Sequence, residues 1–212
     1  MFRALLVPSV GGMTEERLKS PRARMFVALD IPEGVRSAIA GWGREALVDP
    51  ALRVVTAESL HVTLAFLGQT AETEVGRIAT AIEGSAGPAP LIELLDPVAR
   101  PERGRARLFA LPVVSPGAEQ IQARLTEMLV AERLYKAEKR PFWPHITVAR
   151  VRPEGRGSRR PSPVREPPRG LSTGLTEAFY GVRMTLYRSE LQPQGAHYVP
   201  LAQVELPGGG QQ

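Results

Sequence analysis

Apolar side chains recur along this chain in two rhythms, and the switches between them mark out its elements. Met25-Phe26-Val27-Ala28-Leu29-Asp30-Ile31 is a short apolar run stopped by Pro32, which reads as a buried strand. Pro32 then opens a segment in which Val35, Ile39, Trp42 and Leu47 fall along one face at helical spacing. Arg53-Val54-Val55 and the run His61 to Gly68 return to the strand pattern. From Glu72 to Glu83, Val75, Ile78, Ala79 and Ile82 form a helical stripe, with Gly84 and Gly87 as terminators. Leu91 to Leu95 is a strand, Pro101-Glu102-Arg103-Gly104 a polar hairpin tip, and Arg107 to Leu111 the returning strand. Ser115-Pro116 caps and starts a third helix with Ile121, Leu125, Met128 and Leu129 inside. His145 to Arg150 is a further strand, and Phe179–Tyr187 and Tyr198–Leu206 are two more, joined through Pro193-Gln194-Gly195.

This order predicts an α+β fold of two pseudo-symmetric lobes, each an antiparallel sheet backed by helices, around a central groove. Residues 1–24 lack sustained periodicity and read as a loose leader, 25–206 as the bilobal domain, and 207–212 as a flexible tail. Within the domain, 152–174 is rich in Pro, Gly, Ser and Arg and predicts a long mobile loop.

One phrase occurs twice, at corresponding places in the two half-chains. His61-Val62-Thr63-Leu64-Ala65-Phe66-Leu67-Gly68 and Pro144-His145-Ile146-Thr147-Val148-Ala149-Arg150 both read His, apolar, Thr, apolar, Ala. On a pleated strand, alternate side chains share a face. His61, Thr63 and Ala65 then point one way and Val62, Leu64 and Phe66 the other. Likewise His145, Thr147 and Ala149 oppose Ile146 and Val148. Two such strands side by side would gather two imidazoles and two hydroxyls around one space.

Composition narrows the chemistry. The 212 residues contain no cysteine, which excludes a disulfide framework, a thiolate metal site and a Cys nucleophile. No apolar run approaches the roughly 20 residues that span a bilayer, and no signal sequence is evident, so a cytoplasmic protein is expected. Net charge is +5, yet seven arginines against two glutamates lie between Arg150 and Arg169, so the rest of the chain is nearly neutral. That cluster suits nucleic-acid phosphates. It is equally what an arginine-rich composition, 24 Arg against 3 Lys, would place in a solvated loop. Two histidines without a nearby Cys or a carboxylate at ligand spacing would under-coordinate zinc, so neither metal nor cofactor is expected.

The paired His-x-Thr phrases resemble the mark of the 2H phosphoesterase superfamily. Within it the chain is similar to the bacterial and archaeal RNA 2′,3′-cyclic phosphodiesterases, also called 2′-5′ RNA ligases. The likeness runs from Met25 to Glu33, through both His-x-Thr phrases, to Ser189-Glu190-Leu191 and Gly195-Ala196-His197-Tyr198. It implies hydrolysis of RNA 2′,3′-cyclic phosphate ends to 2′-phosphates, with His61 as proton donor to the leaving 3′ oxygen and His145 as proton acceptor from water. Imidazole suits both tasks because its ordinary pKa leaves both forms accessible near neutrality. Thr63 and Thr147 sit where their hydroxyls could donate to phosphate oxygens. The resemblance implies that Arg150 clamps the phosphate, although strict alternation would turn it the wrong way unless a bulge intervenes.

Two rival readings use the same residues: joining of RNA through 2′-5′ linkages by the reverse reaction, and an RNA- or nucleotide-binding module without turnover. A monomer with an RNA or oligonucleotide partner, and no membrane, is expected. Trp143 and Phe142 read as core or edge residues before base-stacking ones, and His197 as a surface polar residue.

Overall fold

The computed structural model describes residues 20–192 and 195–208. In chain order these form β1 (Arg22–Asp30), α1 (Glu33–Ala46), β2 (Leu52–Val54), β3 (His61–Ala71), α2 (Val75–Ser85), β4 (Leu91–Leu94), β5 (Val98–Arg100), β6 (Leu108–Val114), α3 (Pro116–Ala131), β7 (His145–Val151), β8 (Phe179–Tyr180), β9 (Arg183–Gln192) and β10 (Gly195–Glu205). The strands pair in the order β10-β9-β1-β3-β7-β6-β4-β8, with β2 against β7 and β5 against β6, and every pairing is antiparallel. Among the described residues no helix is long and apolar enough to cross a membrane.

The α+β fold of two sheets meeting at a groove is therefore present, but its lobes are not two half-chains. The expected strand Phe179–Tyr187 is divided. Its first residues form β8 on β4, and after Gly181-Val182 the chain restarts as β9 on β1. The C-terminal hairpin β9–β10 thus completes the lobe that β1 and β3 begin. The turn expected at Pro193-Gln194-Gly195 and most of the expected tail lie outside the described residues, as does the leader before Ser20; Arg22 to Arg24, expected in that leader, are already strand.

Between the lobes the ladder is one rung wide. β3 meets β7 only through Val62↔Ile146, both fully buried. Each such side chain removed from water stabilises the fold by about 1.5–3 kcal/mol, which is what closes the seam. Helices α2 and α3 pack on each other; α2 also covers β9 and β10, and α3 lies on β3 and β4. Ser115 caps α3 as its sequence implies, its hydroxyl accepting the Ala118 amide at 3.2 Å.

The segment 152–174, expected to be a long mobile loop, is fastened at several points. Buried Asp49 accepts the amides of Ala51, Arg165 and Glu166 at 2.7–2.9 Å. The Trp42 indole donates to the Gly170 carbonyl at 3.0 Å, and Asp96 accepts the Leu171 amide at 2.8 Å. Arg105 pairs with Glu154 and donates to the Pro161 carbonyl. The backbone amides around it, Glu166 foremost, hold the Asp49 carboxyl below its ordinary range.

Candidate active site

Antiparallel pairing through Val62↔Ile146 sets the layout of the groove floor. Stepping one residue either way places His61 beside Thr147, and Thr63 beside His145. The two imidazoles stand on one diagonal of a square and the two hydroxyls on the other. Both motifs are thus brought together as the duplicated phrase suggested.

Each motif strand then departs from strict alternation at the same place. β3 carries an extra residue at Leu64, between the pairs Ala28↔Thr63 and Val27↔Ala65. β7 carries one at Val148, between Ala110↔Thr147 and Phe109↔Ala149. An inserted residue turns everything beyond it to the opposite face. Ala65 and Ala149, expected beside the histidines, are therefore buried, and Phe66, expected in the core, is 60 % exposed. The same device frees Arg150 from the side of Ile146 and Val148 and turns it, exposed, onto the groove face. A second irregularity in β3, at Leu67-Gly68, lets the strand continue to Ala71 where Gly68 was expected to close it; Gly68 takes φ +69°, which a residue with a Cβ resists.

The imidazoles are held alike. Nδ1 of His61 lies 2.8 Å from the Ser59 carbonyl and Nδ1 of His145 2.8 Å from the Trp143 carbonyl. A carbonyl only accepts, so each Nδ1 carries the proton and each Nε2 presents a lone pair to the groove. Nε2 of His61 accepts from the Thr63 hydroxyl at 3.0 Å. Burial lowers the pKa of both: His61 falls to about 4, against an upward pull from Asp30 and the Ser59 carbonyl, and His145 also falls, with Arg100 and Arg150 adding to the effect.

Their surroundings differ. His61 sits in an aromatic nest, stacked on Phe26 with centroids 5.0 Å apart and edged by Tyr198 at 5.4 Å. Opposite it in register is Asp30, 1 % exposed, which accepts from Arg183 (3.0 Å), Thr185 (2.8 Å) and Tyr187 (3.1 Å). Burial, and then that carboxylate, push the Tyr187 phenol up to about 12. His145 instead stacks on Trp143 at 4.1 Å, and the Arg100 guanidinium lies 4.1 Å from the Trp143 ring centroid. Asp30 acts on His61 and Arg100 on His145, whereas Arg150 lowers the pKa of both.

Asp30, Phe26, Tyr187, Tyr198 and Arg100 escaped the reading of the sequence. The one available signal was Asp30 itself, a carboxylate inside an apolar strand, where an unpaired charge would be prohibitively costly. Trp143, expected to pack, does pack, but on a motif histidine. His197 is exposed, 3.8 Å from Glu190, as a surface polar residue would be. Among the described residues no cluster of three or more His, Asp or Glu is arranged to hold a metal ion.

Residues 32–159 match the model of the 2′-5′ RNA ligase superfamily. The RNA 2′,3′-cyclic phosphodiesterase of Thermus thermophilus is 31 % identical over 192 residues, covering 87 % of this chain and 91 % of that one. The enzyme of the same name from Escherichia coli is 29 % identical over 180 residues, covering 84 % and 93 %. Among solved structures, TT0787 of Thermus thermophilus superposes with a TM-score of 0.70 at 27 % identity, covering 87 % of this chain and 98 % of that one. Escherichia coli LigT complexed with 3′-AMP gives a TM-score of 0.62 at 25 % identity, covering 88 % and 99 %.

Proposed function

The chain belongs to the 2′-5′ RNA ligase superfamily, and from that membership and the groove we propose that it is an RNA 2′,3′-cyclic phosphodiesterase that opens cyclic phosphate ends to 2′-phosphates. The diagonal pair of Nε2 atoms carries this reading. An in-line displacement at phosphorus needs one group to take a proton from the entering water and another, across the phosphorus, to give one to the leaving ribose oxygen. Two imidazoles at opposite corners of one floor supply both, with no third catalytic group required.

The unequal neighbours support His145 as the base and His61 as the acid. Arg100 favours a neutral His145, while Asp30 favours a charged His61; Arg150 acts on both in the same direction and does not distinguish them. A phosphate anion beside His61 would favour its charged form and so offset the effect of burial. Thr63 and Thr147 occupy the other two corners, where their hydroxyls donate to non-bridging oxygens, and Arg150 reaches the same space with a planar fork. All of these groups come from one chain, so a monomer is a sufficient unit. An RNA strand is the natural partner, its backbone following the groove outward from the phosphate.

The test is incubation with a short RNA ending in a 2′,3′-cyclic phosphate, EDTA present, and identification of the product end by chromatography. A 2′-phosphate supports the proposal; unchanged RNA, or a 3′-phosphate, refutes it.

A further inference from the structure

β2 is three residues long, and its middle residue sets a second arginine beside the one in the groove. In register Arg53 stands directly opposite Arg150, and both are exposed. Paired residues on neighbouring strands share a face, so the two guanidinium groups extend to the same side. Like charges so placed repel, and among the described residues neither is paired with a carboxylate. An anion held beside both turns that repulsion into a clamp.

The two arginines wall one hollow of about 70 Å³ with Thr56, Ser59 and Tyr198, and no carboxylate lines it. Pockets that enclose a small-molecule ligand run to about 300–1,000 Å³, so this one fits a single charged group and not a nucleoside. The Thr56 hydroxyl donates to the Ser59 hydroxyl at 3.4 Å, which leaves the Ser59 proton to donate outward. The hollow also adjoins the proposed acid. The Ser59 carbonyl accepts from Nδ1 of His61, and Tyr198 edges the same imidazole at 5.4 Å. With His61 at the leaving 3′ oxygen, the ribose of the cyclic phosphate lies on the His61 side of phosphorus and the entering water on the His145 side. The group carried on the 5′ carbon of that ribose is then directed to the end of the floor where the hollow lies.

We propose that this hollow is a subsite for the phosphate on the 5′ carbon of the terminal nucleoside, held by Arg53 and the Ser59 hydroxyl, with Arg150 standing between it and the reacting phosphate. The inference rests on the cyclic phosphodiesterase reading and on its assignment of the two histidines. It makes Arg53 a specificity-determining residue that takes no part in the proton transfers. Through it the protein distinguishes a cyclic phosphate that ends a strand from one on a lone nucleoside. The same chemistry is offered by a 5′-phosphate and by a phosphodiester to a preceding nucleoside.

The experiment compares kcat/KM for three substrates: adenosine 2′,3′-cyclic phosphate, the same nucleotide with a 5′-phosphate, and the dinucleotide in which that 5′ position carries a phosphodiester to a second adenosine. The last two are expected to exceed the first about 10- to 100-fold, the worth of hydrogen bonds to a charged group. Arg53→Gln should remove this preference, and Arg53→Lys should keep part of it, because an ammonium retains the charge without the fork. Rising salt should erode the preference in the wild type. Retained thermal melting of both variants separates the loss from misfolding. Equal rates on all three substrates, a preference for the dinucleotide alone, or a preference that survives Arg53→Gln overturns the subsite and leaves the phosphodiesterase reading standing. Absence of hydrolysis of all three overturns both.

Discussion

Phe66 and Arg150 hold the same place in the two motif strands, each five residues beyond its histidine and each turned into the groove by one inserted residue. The repetition stops at chemistry, since one lobe presents a ring there and the other a cation. If Arg150 grips the phosphate, Arg150→Ala should lower kcat/KM about 10- to 100-fold, the loss of a hydrogen-bonded charge. Arg150→Lys should recover only part, because an ammonium lacks the fork. Steady-state rates on a cyclic-phosphate dinucleotide decide it, and a wild-type rate in Arg150→Ala would remove this residue from the site.

Removal of either imidazole should be far more damaging. We expect His61→Ala and His145→Ala each to cost about 10²–10⁴ in kcat, with the thermal melt preserved. Because one group gives a proton while the other takes one, the double variant should be little worse than the poorer single variant. Strictly multiplicative losses would argue against concerted acid–base work.

The depressed histidines fix the direction of two pH effects. The proposed assignment needs His61 charged and His145 neutral, and burial holds both pKa values below 6.5. The bell of kcat/KM should therefore centre below pH 6.5, and a centre above neutrality would contradict the scheme.

Stability moves with the same groups. A histidine whose folded pKa is lowered binds fewer protons folded than unfolded, so the fold loses stability as pH falls from about 6.5 towards about 4. The slope is at most about 1.4 kcal/mol per pH unit from His61, less where the groove admits water. Denaturant melts at several pH values should show a shallower acid limb for His61→Gln than for wild type; identical limbs would mean that His61 does not carry it.

Asp49 fastens the arginine-rich segment by three amides. Asp49→Ala should expose 152–169 to trypsin faster than the rest of the chain, read by mass spectrometry of early fragments. Unchanged cleavage would show that the Trp42 and Asp96 hydrogen bonds suffice.

The exposed Arg156 and Arg159 test whether the segment meets RNA. Replacing both with Gln should flatten the dependence of log affinity on log salt by about 0.7 for each phosphate that is no longer neutralised. An unaltered slope makes the segment a solvated connector.

Much of this molecule was legible before its fold was known, and the reasons are local. Periodicity carries element type, so the third helix and its Ser115 cap were visible, as was the gathering of His61, Thr63, His145 and Thr147 from a phrase repeated in matching contexts. Bulges are invisible to periodicity because they are single-residue departures from it. That is why Phe66, Ala65 and Ala149 were placed on the wrong faces and Arg150 could not be oriented. The division of Phe179 to Tyr187 between two strands was equally hidden, since an apolar run does not reveal that Gly181-Val182 carries the chain from one lobe to the other. Partners such as Asp30 with Tyr187, or Arg100 with Trp143, join residues far apart in sequence, and only tertiary packing brings them together.

The single rung between Val62 and Ile146 has a mechanical meaning. His61 and His145 each belong to the sheet of their own lobe, and the single rung between β3 and β7 lies between them. A slight rocking of one lobe on the other would change the distance between the two imidazoles. The joint is thus also the gauge by which the distance between the two imidazoles is set.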